Sequence, residues 1–133
     1  MRLTSKSEYA LLALTYLGRR KSNEFVAVKT IAAEQGIPPL FLEQILLTLK
    51  RSRHLQSLKG QHGGYRLAKP PAKITLAEVI RLFDGALAPT ESVSKYFHES
   101  TPIEKERKLL KVFKKIRDYV SDTLEATTLA DVC

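Results

Sequence analysis

The chain has 133 residues, 44% hydrophobic and 27% charged, which fits one globular domain with at most an appended element. Twenty-two Lys and Arg against 14 Asp and Glu give a net charge of +8, and residues 1–68 hold 11 basic and 4 acidic side chains while residues 69–133 hold 11 and 10. That field attracts polyanions, nucleic acid first among them; the single cysteine, Cys133, excludes an intrachain disulfide or a thiolate metal site built from one chain.

MRLTSKSEYA lacks the small-residue cleavage site of a secretory signal, and no stretch approaches the ~18 apolar residues of a membrane span, so a cytoplasmic protein is expected. Ser5-Lys6-Ser7-Glu8 has the pattern of a capping box with Ser5 as N-cap. Ala10, Ala13, Leu14 and Leu17 follow at helical spacing, predicting a helix over 5–20. Phe25-Val26-Ala27 reads as a short extended segment. A second helix over 28–35 turns Ile31 and Ala32 inward and stops at Gly36. Pro38-Pro39 can only open the next helix, over 38–52, with Phe41, Leu42, Ile45, Leu46 and Leu49 as its buried stripe.

The period then changes. Leu55, Ser57 and Tyr65-Arg66-Leu67 alternate around KGQHGG as a hairpin would, ending at Pro70-Pro71. Thr75-Leu76-Ala77-Glu78 is a second capping box, heading a helix with Val79, Ile80 and Phe83 on one face. Residues 85–101 show no period and read as a loop. From Pro102, the residues Ile103, Leu110, Phe113, Ile116, Val120 and Leu124 form a seam close to heptad spacing. The seam either folds back on its own domain or pairs with a second copy; too little chain remains to cover it, so a homodimer is expected.

Helix, short strand, helix, glycine turn, helix and hairpin is the order of a winged helix-turn-helix, mainly α with a small β-hairpin. The expected organisation is a DNA-binding domain over 1–84, a loop over 85–101, and a dimerisation helix with a C-terminal tail over 102–133. The turn EQGIPP crosses two helices at a large angle and presents the third helix by its N-terminal end, the end that enters a major groove. Its outward positions are Pro39, Leu40, Glu43, Gln44, Thr48 and Arg51. Gln44 can pair with adenine and Glu43 can accept from cytosine, while Lys50, Arg51 and Arg53 suit phosphates. The competing reading is a solvated helix face. Ser5 and Lys6, opening the first helix, join the candidate contacts.

KGQHGGYRLAK lacks the Lys-Ser/Thr that follows the last glycine of a nucleoside-triphosphate loop, and lacks the helix of a dinucleotide fingerprint. A hairpin tip fits better, with Gly63 and Gly64 allowing the turn, Tyr65 packing beneath, and Lys59, Gln61 and His62 reaching a phosphate or minor groove. A plain hairpin with solvated charges is the alternative. His54, His62 and His98 join no catalytic spacing, so no enzyme is expected. A module that presents its third helix to a protein remains the rival to DNA binding.

MRLTSKSEYALLAL, IAAEQGI with FLEQIL, KGQHGGYRLAK, ITLAEVIRLFDG and TTLADV together resemble the Rrf-two family of bacterial transcription regulators, over nearly the whole chain. The resemblance implies a homodimer held by the long C-terminal helix, binding a partly palindromic operator, usually as a repressor. It also implies DNA-contact roles for Glu43, Gln44, Lys59, Gln61 and His62. Many members hold an iron–sulfur cluster through three cysteines in the loop after the VIRLFDG helix. Here GALAPTESVSKYFHESTP has none, Ser92 standing about where the first would be. No cofactor and no metal are therefore expected, although Glu91, His98 and Glu99 are hard-ligand residues in the loop. A cluster-free branch responds to a partner enzyme or small molecule. Cys133 is either incidental or a residue that pairs with its dimer mate.

Overall fold

A computed structural model describes residues 2–133. The first helix, α1, runs Ser5–Arg19. Its N-cap is Thr4, not Ser5: the Thr4 hydroxyl accepts from the Ser7 backbone N–H. The N-cap is thus one residue earlier than predicted and no capping box forms, because Asp84 takes the place of the expected Glu8. The Asp84 carboxylate accepts from the hydroxyls of Thr4 and Ser7, and from the Thr4 N–H at 3.2 Å, so the helix start is fixed by a residue 80 positions away.

Helix α2 spans Val28–Gln35 and ends at Gly36, whose φ of 66° is the left-handed stop expected of glycine. Helix α3 spans Pro39–Arg51 with Pro39 in its first turn. Leu42, Ile45, Leu46 and Leu49 are buried as the periodicity predicts. Phe41 is not: it sits at the rim, 36% exposed, with its ring edge-on to Tyr9 at 5.5 Å. Strands β1 (Leu55–Leu58) and β2 (Gly64–Leu67) pair antiparallel, Leu55 opposite Leu67 and Leu58 opposite Gly64. Val26 adds a third rung by exchanging two backbone hydrogen bonds of 2.8 Å with Tyr65. Helix α4, Leu76–Asp84, carries the predicted capping box, with the Thr75 hydroxyl and Glu78 carboxylate each satisfying the other's backbone N–H.

Residues 85–101 contain one 3-10 turn, Glu91–Val93, and a second covers Pro102–Lys105. The long helix, α5, therefore begins at Arg107 and not at Pro102, and runs to Ala126. The C-terminal residues, read as a tail, form a further short helix, α6 (Leu129–Val132), capped by Thr128 and Asp131. Thr75 and Thr128 form a bridge, the Leu129 N–H donates to the Ile74 carbonyl at 2.9 Å, and Leu129 is fully buried.

The main core joins α1, α2, α3 and the hairpin through Leu14, Ile31, Leu42, Leu46, Leu49 and Leu55, with Ile74 and Leu129 closing it from below. A smaller cluster of Ala77, Ile80 and Leu87 receives Leu3, Leu11 and Leu124. Each fully buried aliphatic side chain contributes on the order of 1.5–3 kcal/mol. Together they hold α3 and the hairpin at a set angle.

Candidate nucleic-acid interface

The exposed side of α3 carries Pro39, Leu40, Glu43, Gln44, Lys50 and Arg51, with Thr48 half-buried. Leu40 is 80% exposed, a large apolar residue held in water at the helix N-terminus. Neither α2 nor α3 has a side-chain cap. Lys6, Gln44 and Thr48 line one cleft of about 220 Å³ with Phe41, Leu82 and Phe83. The structure therefore brings three of the expected DNA contacts together from α1 and α3. Ser5 is exposed beside Lys6. Glu43 lies on the wing side of α3, near enough that its charge, after burial, helps push the Tyr65 phenol above its ordinary pKa.

At the wing, Lys59, Gly60, Gln61 and His62 are exposed. The tip turn closes with the Gly63 N–H donating to the Gly60 carbonyl at 3.1 Å, and Gly60 has the positive φ, 110°. Gly63 and Gly64 serve a different purpose from the tip role expected of them. A Cβ on Gly63 would lie 2.0 Å from the Leu58 oxygen, and one on Gly64 would lie 2.0 Å from the Val26 oxygen. The pair is needed where the hairpin closes and Val26 crosses it, because only glycine lets backbone approach backbone that closely. Tyr65 packs half-buried against the main core beside that crossing, and not beneath the tip. Gln61 and His62 border an open groove with Phe25 and Arg66.

The sequence joined none of the three histidines to partners; the fold gives His54 two, in a structural role. It is buried, with Nδ1 2.7 Å from the Ser52 hydroxyl and Nε2 3.2 Å from Glu78. Ser52 also donates toward the Leu49 carbonyl at the end of α3. The row resembles a hydrolytic triad in composition only: the serine faces Nδ1 and terminates a helix. It ties the end of the outward helix and the start of β1 to the capping box of α4.

On α5, Ile103 in the preceding turn and Leu110, Phe113, Val120 and Leu124 are half-buried, and Ile116 is exposed. Leu124 packs into the second cluster of its own chain. A further stripe, Leu109, Val112, Ile116 and Tyr119, is 42–77% exposed. It was legible in the sequence as apolar positions at steps of 3, 4 and 3 that share Ile116 with the expected seam.

The loop over 85–101 is held by hydroxyls. Ser92 and Ser94 are buried; Thr101 donates to the Ser92 oxygen at 3.0 Å, and the Phe97 N–H donates to Ser94 at 2.9 Å. Arg117 on α5 donates to the Val93 carbonyl at 2.9 Å. His98 faces Glu104 at 3.3 Å, and among the described residues no three His, Cys, Asp or Glu side chains converge. Cys133 lies beside Gly18 of α1, remote in sequence from this loop. Neutral hydroxyls already engaged in hydrogen bonds do not supply the thiolates an iron–sulfur cluster requires.

Residues 3–133 match the family model Rrf2, described as an iron-dependent transcriptional regulator. The chain belongs to the Rrf2 family. A Mycobacterium tuberculosis relative, named as an HTH-type transcriptional regulator, is 38% identical over 136 residues, covering 99% of this chain and 81% of its own length. The regulator NsrR of Geobacillus kaustophilus is 33% identical, covering 99% of this chain and 89% of its own. Among solved structures, CymR, the global cysteine regulator of Bacillus subtilis, superposes with a TM-score of 0.79 at 26% identity, covering 99% of this chain and 95% of its own. The winged-helix fold of an Rrf2 transcriptional regulator is thus shared along the whole chain, and no helix among the described residues is long and apolar enough to cross a membrane. The family model's iron dependence is at odds with the donors that this chain's loop offers.

Proposed function

We propose that this Rrf2 protein is a cytoplasmic, dimeric, sequence-specific DNA-binding regulator, a repressor rather than an enzyme. Helix α3 enters the major groove with Glu43 and Gln44 at base edges and Thr48 and Arg51 behind them. Pro39 and Leu40 meet the groove first. Lys6, Ser5 and the wing residues Lys59, Gln61 and His62 hold the phosphates or the minor groove. The observation that carries this reading is the convergence of Lys6, Gln44 and Thr48 on one face of the strongly basic half of the chain. A second copy pairs through α5, which sets two α3 helices on a twofold axis over a partly palindromic operator.

Its signal is not an iron–sulfur cluster, a reading supported by the hydroxyl-held loop. No cofactor or metal is assigned. A partner enzyme or a small molecule would then supply the signal, in keeping with the similarity to a regulator of cysteine metabolism.

Selection of bound sequences from a random duplex pool at near-physiological salt tests the reading. Enrichment of a dyad-symmetric motif is expected, with half-sites one or two helical turns apart. Binding that depends only on duplex length and salt would overturn sequence-specific recognition by the free protein.

A further inference from the structure

Four cations converge at a place that α3 and the wing tip do not explain. A cleft of about 490 Å³ opens where the C-terminal end of α1, residues 20–24 and the base of the hairpin meet. Arg20, Lys21, Arg66 and Lys69 line it, and Glu24 is the one acidic residue of its wall. Asn23 and Gln56 add neutral polar groups. The strand register fixes its position. Leu58 and Gly64 pair at the tip end of the hairpin and Leu55 and Leu67 at the other, and the cleft wall runs on from Leu67 to Pro71. None of Lys59, Gln61 and His62, and no residue of α3, lines it.

Arg66 is already oriented. Its Nε donates to the Gln56 side-chain oxygen and its Nη1 to the Asn23 carbonyl, both at 3.0 Å, and its guanidinium lies 4.2 Å from the centre of the Phe25 ring. Nη2 takes part in neither bond. A guanidinium held in place presents its remaining donors to an oxyanion without losing further rotamer freedom. Lys69 also pairs with Glu78 at 3.7 Å and Arg20 with the Tyr16 hydroxyl at 3.3 Å, both partners lying outside the cleft wall.

We infer that this cleft binds a small oxyanion of two or more charges, a phosphate ester or a polycarboxylate, as an input to the wing. Arg66 also lines the open groove that holds Gln61 and His62, so an anion drawing on its guanidinium acts on the one cation that the cleft shares with the wing. The binding site stands without the DNA-binding reading; its regulatory consequence rests on that reading.

Titration calorimetry of the full chain with inorganic pyrophosphate and with citrate, at ionic strength held constant with chloride, tests the inference. Saturable binding at one site per chain is expected, and Arg20→Ala and Lys21→Ala, both at exposed positions, each weaken it about tenfold. Lys114→Ala, on the exposed face of α5, leaves it unchanged. Absence of saturable heat, or an equal loss with Lys114→Ala, overturns the proposal in favour of general charge screening. Displacement of pyrophosphate by duplex DNA, with Lys21→Ala lowering DNA affinity as much as Lys59→Ala, also overturns it, because the cleft would then be a contact for DNA phosphate. Saturable binding in a protein that selects no DNA motif would leave this site intact while the DNA reading fails.

Discussion

Gly64 and Arg53 show opposite uses of unusual backbone. Gly64 has φ 145° and no room for a Cβ, since Val26 is in the way. Gly64→Ala is expected to destabilise the protein by about 3 kcal/mol or more, because the Val26–Tyr65 rung must break to admit the methyl group. Urea unfolding checks this; a loss under about 1 kcal/mol would mean that the strand shifts freely. Arg53 follows α3 with φ 66°, a conformation that costs a non-glycine residue about 1–2 kcal/mol. Arg53→Gly should therefore raise the urea midpoint by about 1 kcal/mol of stability. That cost falls on a residue expected among the phosphate-facing cations. The glycine pair was visible in the sequence, but its reason was not: the residue it makes room for, Val26, is nearly 40 positions earlier.

Elements here are joined by polar pins as well as by core packing. The Ser52–His54–Glu78 row connects the end of α3, the hairpin and α4. Burial pushes the Glu78 carboxyl up, but the Thr75 N–H, His54 and Lys69 together outweigh this and hold its pKa below the ordinary 4.5. A depressed carboxylate stabilises the fold above its unfolded value and loses that contribution as pH falls through the folded one. Glu78→Gln is thus expected to be less stable than wild type near neutral pH, with the gap closing as pH falls below 4.5. Urea midpoints across that range read it directly; a gap that stays constant would assign the loss to packing. On the outward face of α3, Gln44→Ala should relax preference at one position of each half-site, whereas Lys59→Ala should weaken binding to all sequences and lower the salt slope by about 1. Binding to operator variants at two salt concentrations separates the two, and an unchanged preference for Gln44→Ala would rule out direct readout by that side chain.

At the scale of the whole molecule, α5 lies across the domain with one side covered and the adjacent side bare. Arg81 anchors it from α4, donating to Glu125 at 2.6 Å and to Ser121 at 3.2 Å, while Tyr96 stacks on the guanidinium at 4.6 Å. Arg117 anchors the loop to the same helix. The stripe through Leu109, Val112, Ile116 and Tyr119 is left facing water. This bare face is where the second copy proposed above would pack. Ile116→Asp is expected to turn a dimer into a monomer with little change in fold, which sedimentation and circular dichroism would show. A dimer that survives the substitution would place the interface elsewhere.

Sequence alone determined the order of elements, because periodicity, caps and turn residues are local. The helices α1 to α4, the hairpin, the Thr75–Glu78 box and the glycine stop of α2 were all legible for that reason. The motifs quoted across the chain also sufficed to recognise the family. Only the tertiary structure decided matters that depend on partners distant in the chain. Asp84 moved the cap of α1 to Thr4. Val26 explained Gly64. The bridge between Thr75 and Thr128 drew the C-terminal residues into the core as α6. Folding also split the apolar surface of α5 into a covered side and a free one. Its heptad-like spacing marked residues that avoid water, but a one-dimensional period carries no information about which side its own chain will cover.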